Sequence, residues 1–439
     1  MNDGGKQVWL VLSHGFNMDG RAASQTITDK IPHLLKLGIK PVVVSAITGK
    51  RDMVVEHHQV LPAGPVALRF DLRHYLKQRV TSRFLYRIAM TAASLLLLPF
   101  YLLEKLFTRI ETHWSWAITA YFTGARIIRK RKPALIYSTG GAYSAHMAGY
   151  WLARRFGLPW IAEIHDPIIL DTQPNNARFR FSAKLEETIC RHADVVWWFT
   201  EEALARAKAR HPELGDRGHC IIPGSNPPEF VRLPYLRGKN LVIGHFGSLA
   251  DTRNLEFFLQ GLRRVLEKHP QWVEHFRLHI YGSGLDAISA RALRDFPYPR
   301  IVEQFGRLET DPITGESGRE QVLKRMNAVD CLLLLHGTIP VCEEYIPSKM
   351  YEYLWTQRPI LALIWNNPQL ERMLRELGHW AVKADDAVAI ASSLEELHDR
   401  WMRDDLTDSG APSPYTSESA TRQIVALANE SISRKSLRA

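Results

Sequence analysis

Short apolar runs rich in Val, Ile and aromatic residues alternate along this chain with longer helix-like stretches, the pattern of buried parallel strands joined by helices. In the first half the runs are Val8 to Leu12, Val42 to Ala46, Ala134 to Tyr137, Trp160 to Ile164 and Val195 to Phe199. After Pro223, Pro227 and Pro228 a second series begins with Leu241 to Phe246 and continues with Leu278 to Tyr281, Cys331 to Leu335 and Ile360 to Ile364. Two such series across a proline-bearing stretch predict two α/β domains, residues 1–228 and 229–403, with a junction near 224–240. The tail, 404–439, is rich in Ser, Thr and charge, which suits a last crossover helix or partial disorder.

A length of 439 residues is enough for two to three packed domains. Cys190, Cys220, Cys331 and Cys342 show neither a metal-ligand nor a disulfide spacing, which favours buried thiols in a reducing, cytoplasmic setting. The run Val8 to Leu12 is too short for a signal peptide's apolar core.

Charge changes the picture once it is located. Between residues 66 and 135 thirteen Lys or Arg face three acids, so the whole net charge of +10 sits in one segment. The same segment holds the most apolar run of the chain, Ile88 to Leu103, interrupted by Pro99 and marginal for a span. A basic flank beside an apolar, aromatic-bearing helix suits an anionic membrane surface, where Coulomb attraction to head groups adds to burial of the apolar face. Residues 66–135 are therefore expected to be a membrane-associating insertion, peripheral at the inner face of the cell membrane. The alternatives are a buried domain helix with a solvated basic face and a true span, which would interrupt a soluble domain. No nucleic-acid partner is expected, because no base-reading motif accompanies the basic residues.

Three segments carry candidate chemistry. The first strand runs into His14-Gly15-Phe16-Asn17-Met18-Asp19-Gly20 before a helix-like stretch to Leu37, a glycine-bearing turn of the kind that lets backbone approach an anion. In the second half, Gly244-His245-Phe246-Gly247-Ser248-Leu249 is followed by Arg253, a cation able to pair with phosphate, and by a helix from Leu255. Most specific is Glu343-Glu344-Tyr345-Ile346-Pro347-Ser348-Lys349-Met350-Tyr351-Glu352. Pro347 suits a first helical position, so the amides of Ser348 to Met350 are expected to point outward beside Lys349, with Glu344 before the helix and Glu352 inside it. His14, His57 and His58 lack a matching carboxylate or Cys cluster, so no metal site is expected.

Glu344 and Glu352 have the Glu-x7-Glu spacing of the retaining glycosyltransferases of the GT-B fold, and the surrounding Pro-Ser-Lys-Met-Tyr-Glu resembles the donor site of family GT4 (glycosyltransferase group 1). Glu163-Ile164-His165-Asp166-Pro167 and the two glycine turns occur in that family's order. The resemblance implies two Rossmann-like domains with a donor cleft between them. It implies that Gly20, Gly247, Ser248, Arg253, Pro347, Ser348 and Lys349 surround a nucleotide-sugar diphosphate, that Glu352 binds the ribose and that Glu344 lies near the reacting carbon. His165, with Asp166 beside it, is implied to contact the sugar or assist the acceptor. Ser248 and Arg253 depart from the family's usual Arg-and-Lys pair at those positions. Fixed cations and helix amides would stabilise charge on a departing diphosphate without a metal or other cofactor. Cell-surface polysaccharide or lipopolysaccharide assembly, with a glycan or lipid-linked acceptor, is the implied setting. The alternatives are a nucleotide-sugar 2-epimerase-like enzyme of the same fold and a non-catalytic donor-binding scaffold.

Overall fold

The computed structural model describes residues 7–18, 21–80, 82–108, 113–170, 173–229, 234–406 and 413–437. The chain divides into two compact units, residues 1–223 with 417–439, and residues 224–416.

The first unit runs β1 (Gln7–Leu12), α1 (Ala22–Thr28), α2 (Ile31–Lys36), β2 (Ile39–Ser45), β3 (Glu56–Gln59), α3 (Pro65–Arg79), α4 (Arg83–Thr108), α5 (Trp116–Arg131), β4 (Leu135–Thr139), α6 (Tyr143–Phe156), β5 (Trp160–Ile164), α7 (Ala177–His192), β6 (Val195–Trp198), α8 (Glu201–Arg210) and β7 (Gly218–Cys220). Its seven strands pair in parallel in the order β3-β2-β1-β4-β5-β6-β7. Alternation decides the two faces. Trp9 and Val11 of β1 join a core with Ile27, Ile31 and Leu34, whereas Leu10 and Leu12 join one with Ala117, Ala120, Ala148 and Leu152. The strand order changes direction between β1 and β4, so the carboxyl ends of β1, β4 and β5 border the crevice where sheets of this kind take ligands.

The second unit runs β8 (Leu241–Phe246), α9 (Glu256–Lys268), β9 (Phe276–Tyr281), α10 (Ala287–Arg294), β10 (Val302–Gly306), α11 (Gly318–Asn327), β11 (Cys331–Leu335), α12 (Lys349–Thr356), β12 (Ile360–Ile364), α13 (Pro368–Glu376), β13 (Trp380–Lys383) and α14 (Ala387–Met402). Six parallel strands pair as β10-β9-β8-β11-β12-β13, with the change of direction between β8 and β11.

Several elements differ from expectation. The stretch expected to be helical to Leu37 breaks after Thr28, and Lys30 at the break is almost wholly buried. The segment 66–135 is not one insertion, because α5 packs Trp116, Ala117, Ala120 and Ile128 into the core. What projects is the α3–α4 pair, joined by a bond from Arg69 to Ser94 and by Glu104, which accepts from the Val66 amide. Pro99 does not interrupt α4, which is 26 residues long with none buried, and it is long and apolar enough to cross a membrane. The tail forms a helix, α15 (Ser417–Ser436), whose Ala420, Ile424 and Ala428 complete the core beside α2 in the first unit.

Candidate functional site

In the second unit, β8 and β9 each end in an aromatic residue followed by glycine, and the two glycines bring their turns together. Gly247 has φ 149° and Gly282 φ 151°; a Cβ on Gly282 would lie 1.9 Å from the Gly247 carbonyl oxygen. Only glycine permits that approach. Phe246 stacks on Tyr281 at 4.6 Å, which aligns the two strand ends. Beyond the first turn Arg253 folds back, its guanidinium donating to the Ser248 carbonyl at 2.9 and 3.2 Å. It lines a small pocket with Thr252, Asn254, His336 and Thr338.

Lys349 lies at the start of α12, and Tyr353 from the same helix accepts the Phe246 amide at 3.0 Å, tying this helix to the end of β8. His245 registers both cations. Burial above all, opposed by its bond to the Leu333 carbonyl and aided by the charges of Arg253 and Lys349, pushes its imidazole down to about 4. Arg253, through Ser248, and the helix that starts at Lys349, through Tyr353, are both tied to the end of β8.

The helix begins later than expected. Ser348 is its N-cap residue and Pro347 precedes it, while the Met350 amide donates back to the Pro347 carbonyl at 2.9 Å and does not point outward. Ser348 is exposed and Pro347 buried. Lys349 donates to Glu352 Oε2 at 2.6 Å, and Arg319 of α11 lies 3.5 Å from the other oxygen. Burial alone would raise the Glu352 carboxyl, but Lys349 and Arg319 hold it below the usual carboxylate range. Glu344 is buried at the end of a 3-10 turn, Pro340–Glu344, whereas the neighbouring Glu343 accepts from Asn366. That distinction selects Glu344 as the enclosed carboxylate of the pair.

In the first unit His165 follows β5. Its Nε2 lies 3.1 Å from both Thr139 Oγ1 and Glu163 Oε1, and its ring packs against Phe199. Asp166 is exposed, next to Gly141 at the end of β4. Glu163 is wholly buried and takes Lys30 Nζ at 2.6 Å together with the Tyr137 hydroxyl. Burial opposes its ionisation, yet the Lys30 charge and the His165 and Lys30 bonds hold its carboxyl at about 2. Gly20 lies outside the described residues. Among the described residues no group of three or more His, Cys, Asp or Glu could hold a metal ion.

Lys30, Gly282 and Arg319 escaped the sequence reading. The Gly282-Ser283-Gly284 turn after the Leu278 to Tyr281 run was a usable signal. The contacts of Lys30 and Arg319 reach across 133 and 33 positions and leave no local trace.

Residues 38–223 match the family described as glycosyl transferase 4-like domain. A probable glycosyltransferase, WbjE of Pseudomonas aeruginosa, is 24% identical over 260 residues, which cover 55% of this chain and 60% of that protein. The match thus spans less than two thirds of that relative's length. Among solved structures, a TarM variant of S. aureus in complex with fondaparinux, alpha-GlcNAc-glycerol and UDP is similar with a TM-score of 0.61 at 11% identity, over 96% of this chain and 100% of that one. An E. coli protein bound with UDP-2-fluoro glucose is similar with a TM-score of 0.57 at 12% identity, over 98% of this chain and 97% of that one. The trehalose 6-phosphate synthase of Burkholderia multivorans has a TM-score of 0.57 at 12% identity, over 97% and 98%. At such identities the likeness shows the fold, the two-domain Rossmann-like α/β architecture of the GT-B type. Residues 38–223 therefore carry a glycosyl transferase 4-like domain, in a chain that has the GT-B fold and is homologous to a glycosyltransferase.

Proposed function

We propose that this chain is a retaining, metal-independent glycosyltransferase of the GT4 type. It takes a sugar from a nucleoside-diphosphate donor and passes it to a glycan or lipid-linked acceptor in cell-surface polysaccharide or lipopolysaccharide assembly. The observation that carries the proposal is the pair of glycine turns that end β8 and β9, with Arg253 folded onto the first through the Ser248 carbonyl and Lys349 at the start of the helix that Tyr353 ties to Phe246. Backbone stripped of side chains beside two cations is what a diphosphate needs, because charge builds on it as the sugar departs.

Arg253, Ser248, Ser348 and Lys349 receive the phosphates, Glu352 takes the ribose hydroxyls and Glu344 reaches the transferred sugar. Lys349 is held by Glu352 at 2.6 Å, so its ammonium is already oriented when the donor arrives. His165 and Asp166 meet the acceptor. The UDP and UDP-2-fluoro glucose named for two structural neighbours support a nucleoside-diphosphate donor.

The α3–α4 pair brings the enzyme to the cytoplasmic face of an anionic membrane. Leu96, Phe100 and Phe107 of α4 are exposed, and Arg69, Arg73, Lys77, Arg83 and Arg87 supply the charge. The test is a thermal-shift and hydrolysis screen of nucleotide sugars with chelator present, on the wild type and on Glu352→Ala. Stabilisation by one donor with slow release of its sugar, both lost in the variant, is expected. Binding that appears only when a divalent cation is restored would contradict metal independence, and binding that survives in Glu352→Ala would contradict the placement of the ribose.

A further inference from the structure

The sheet register sets Thr139 of β4, Glu163 of β5 and Trp197 of β6 side by side, and His165 continues the same face two residues past Glu163. An ionised carboxylate is therefore built into the interior of the sheet directly behind the one histidine assigned to the acceptor. Glu163 is 0% exposed and its partner Lys30 1% exposed. A buried ion pair adds little net stability over an apolar filling of the same space, so the pair needs a role other than packing.

Its geometry supplies one. Lys30 Nζ and His165 Nε2 reach the same oxygen, Glu163 Oε1, at 2.6 and 3.1 Å, while the Tyr137 hydroxyl donates to Oε2. The Glu163 anion 3.1 Å from Nε2 favours the ring proton on that nitrogen, where the Thr139 hydroxyl is the hydrogen-bond partner, and among the described residues no bond is made at Nδ1.

We propose that Lys30 and Glu163 are positioning residues, which hold His165 with its proton on Nε2 and leave the Nδ1 lone pair to accept the hydroxyl hydrogen of the acceptor. The proposal rests on the glycosyl-transfer reading given above. Lys30 keeps Glu163 anionic, Glu163 orients the imidazole, and neither touches substrate.

The direct measurement is nitrogen NMR of the 15N-histidine-labelled full chain at neutral pH, with His165→Gln identifying the signal. A protonated Nε2 and an unprotonated Nδ1 are expected. A proton on Nδ1, or fast averaging of the two forms, would overturn the proposal whether or not any sugar is transferred, so its failure is distinct from failure of the functional reading. The second measurement uses the neutral pair Lys30→Met with Glu163→Gln, which leaves no uncompensated buried charge. Donor KM is expected to stay at the wild-type value while kcat falls on the order of 100-fold. A double variant with wild-type kcat would reduce the pair to a structural role. Should the double variant not fold, the tautomer of the wild type still decides.

Discussion

Replacing Lys30 by Met removes the ammonium that lies 2.6 Å from Glu163 Oε1 and leaves a carboxylate with no exposure to water. The carboxyl is held at about 2 against its ordinary 4.5, a difference that corresponds to about 3 kcal/mol of native-state stabilisation. Because the folded value is the lower one, that contribution is present above pH 4.5 and is lost as the pH falls toward 2. Breaking a buried pair from one side generally costs roughly 3–5 kcal/mol. For a unit of this size the loss corresponds to a fall in Tm on the order of 10 °C near neutral pH. Thermal and urea unfolding at pH 7 and at pH 4 are the assay. In the variant Glu163 takes up a proton more readily, so the gap from wild type is expected to narrow at the lower pH. A variant within about 2 °C of wild type at pH 7, or a gap that widens on acidification, would refute the buried charge pair.

Three further outcomes are expected. Gly282→Ala places a Cβ 1.9 Å from the Gly247 carbonyl oxygen at φ 151°, so the turns must part; donor-induced stabilisation is expected to vanish, with about 1–3 kcal/mol of backbone strain measurable by urea unfolding. Lys349→Ala removes a charge-assisted partner of the phosphates and is expected to weaken donor binding by about ten- to a hundredfold by calorimetry, with Glu352 titrating at a higher pH once its 2.6 Å partner is gone. Phe100→Asp falls on an exposed position of α4, so unfolding stability should change by less than about 0.5 kcal/mol, while sedimentation with anionic liposomes at low salt should drop by about tenfold or more.

The nine strands read from apolar runs are all interior strands of the two sheets, and the four that escaped, β3, β7, β10 and β13, are all edge strands. The reason is physical. A strand covered on both faces and paired on both sides needs a continuous apolar run such as Cys331–Leu335, whereas an edge strand keeps solvent contact and tolerates Glu-His-His-Gln or Val-Glu-Gln-Phe-Gly. The donor-side motif was legible because Lys349 and Glu352 meet across one helical turn. The helix start was not, because Pro347 reads equally well as a first helical residue or as the end of the preceding loop. Nothing local in the sequence sends Lys30 inward, and only the sheet register brings Glu163 level with Thr139.

The proposed activity is best decided by following labelled sugar from the donor that stabilises the protein, with chelator present and with membranes as the source of acceptor. The wild type should move the label onto a glycan or lipid-extractable product with the anomeric configuration of the donor retained, and Glu344→Gln should stop that transfer while still binding the donor. Tight donor binding with no label leaving the nucleotide in any acceptor fraction would contradict glycosyl transfer and leave this chain a donor-binding protein.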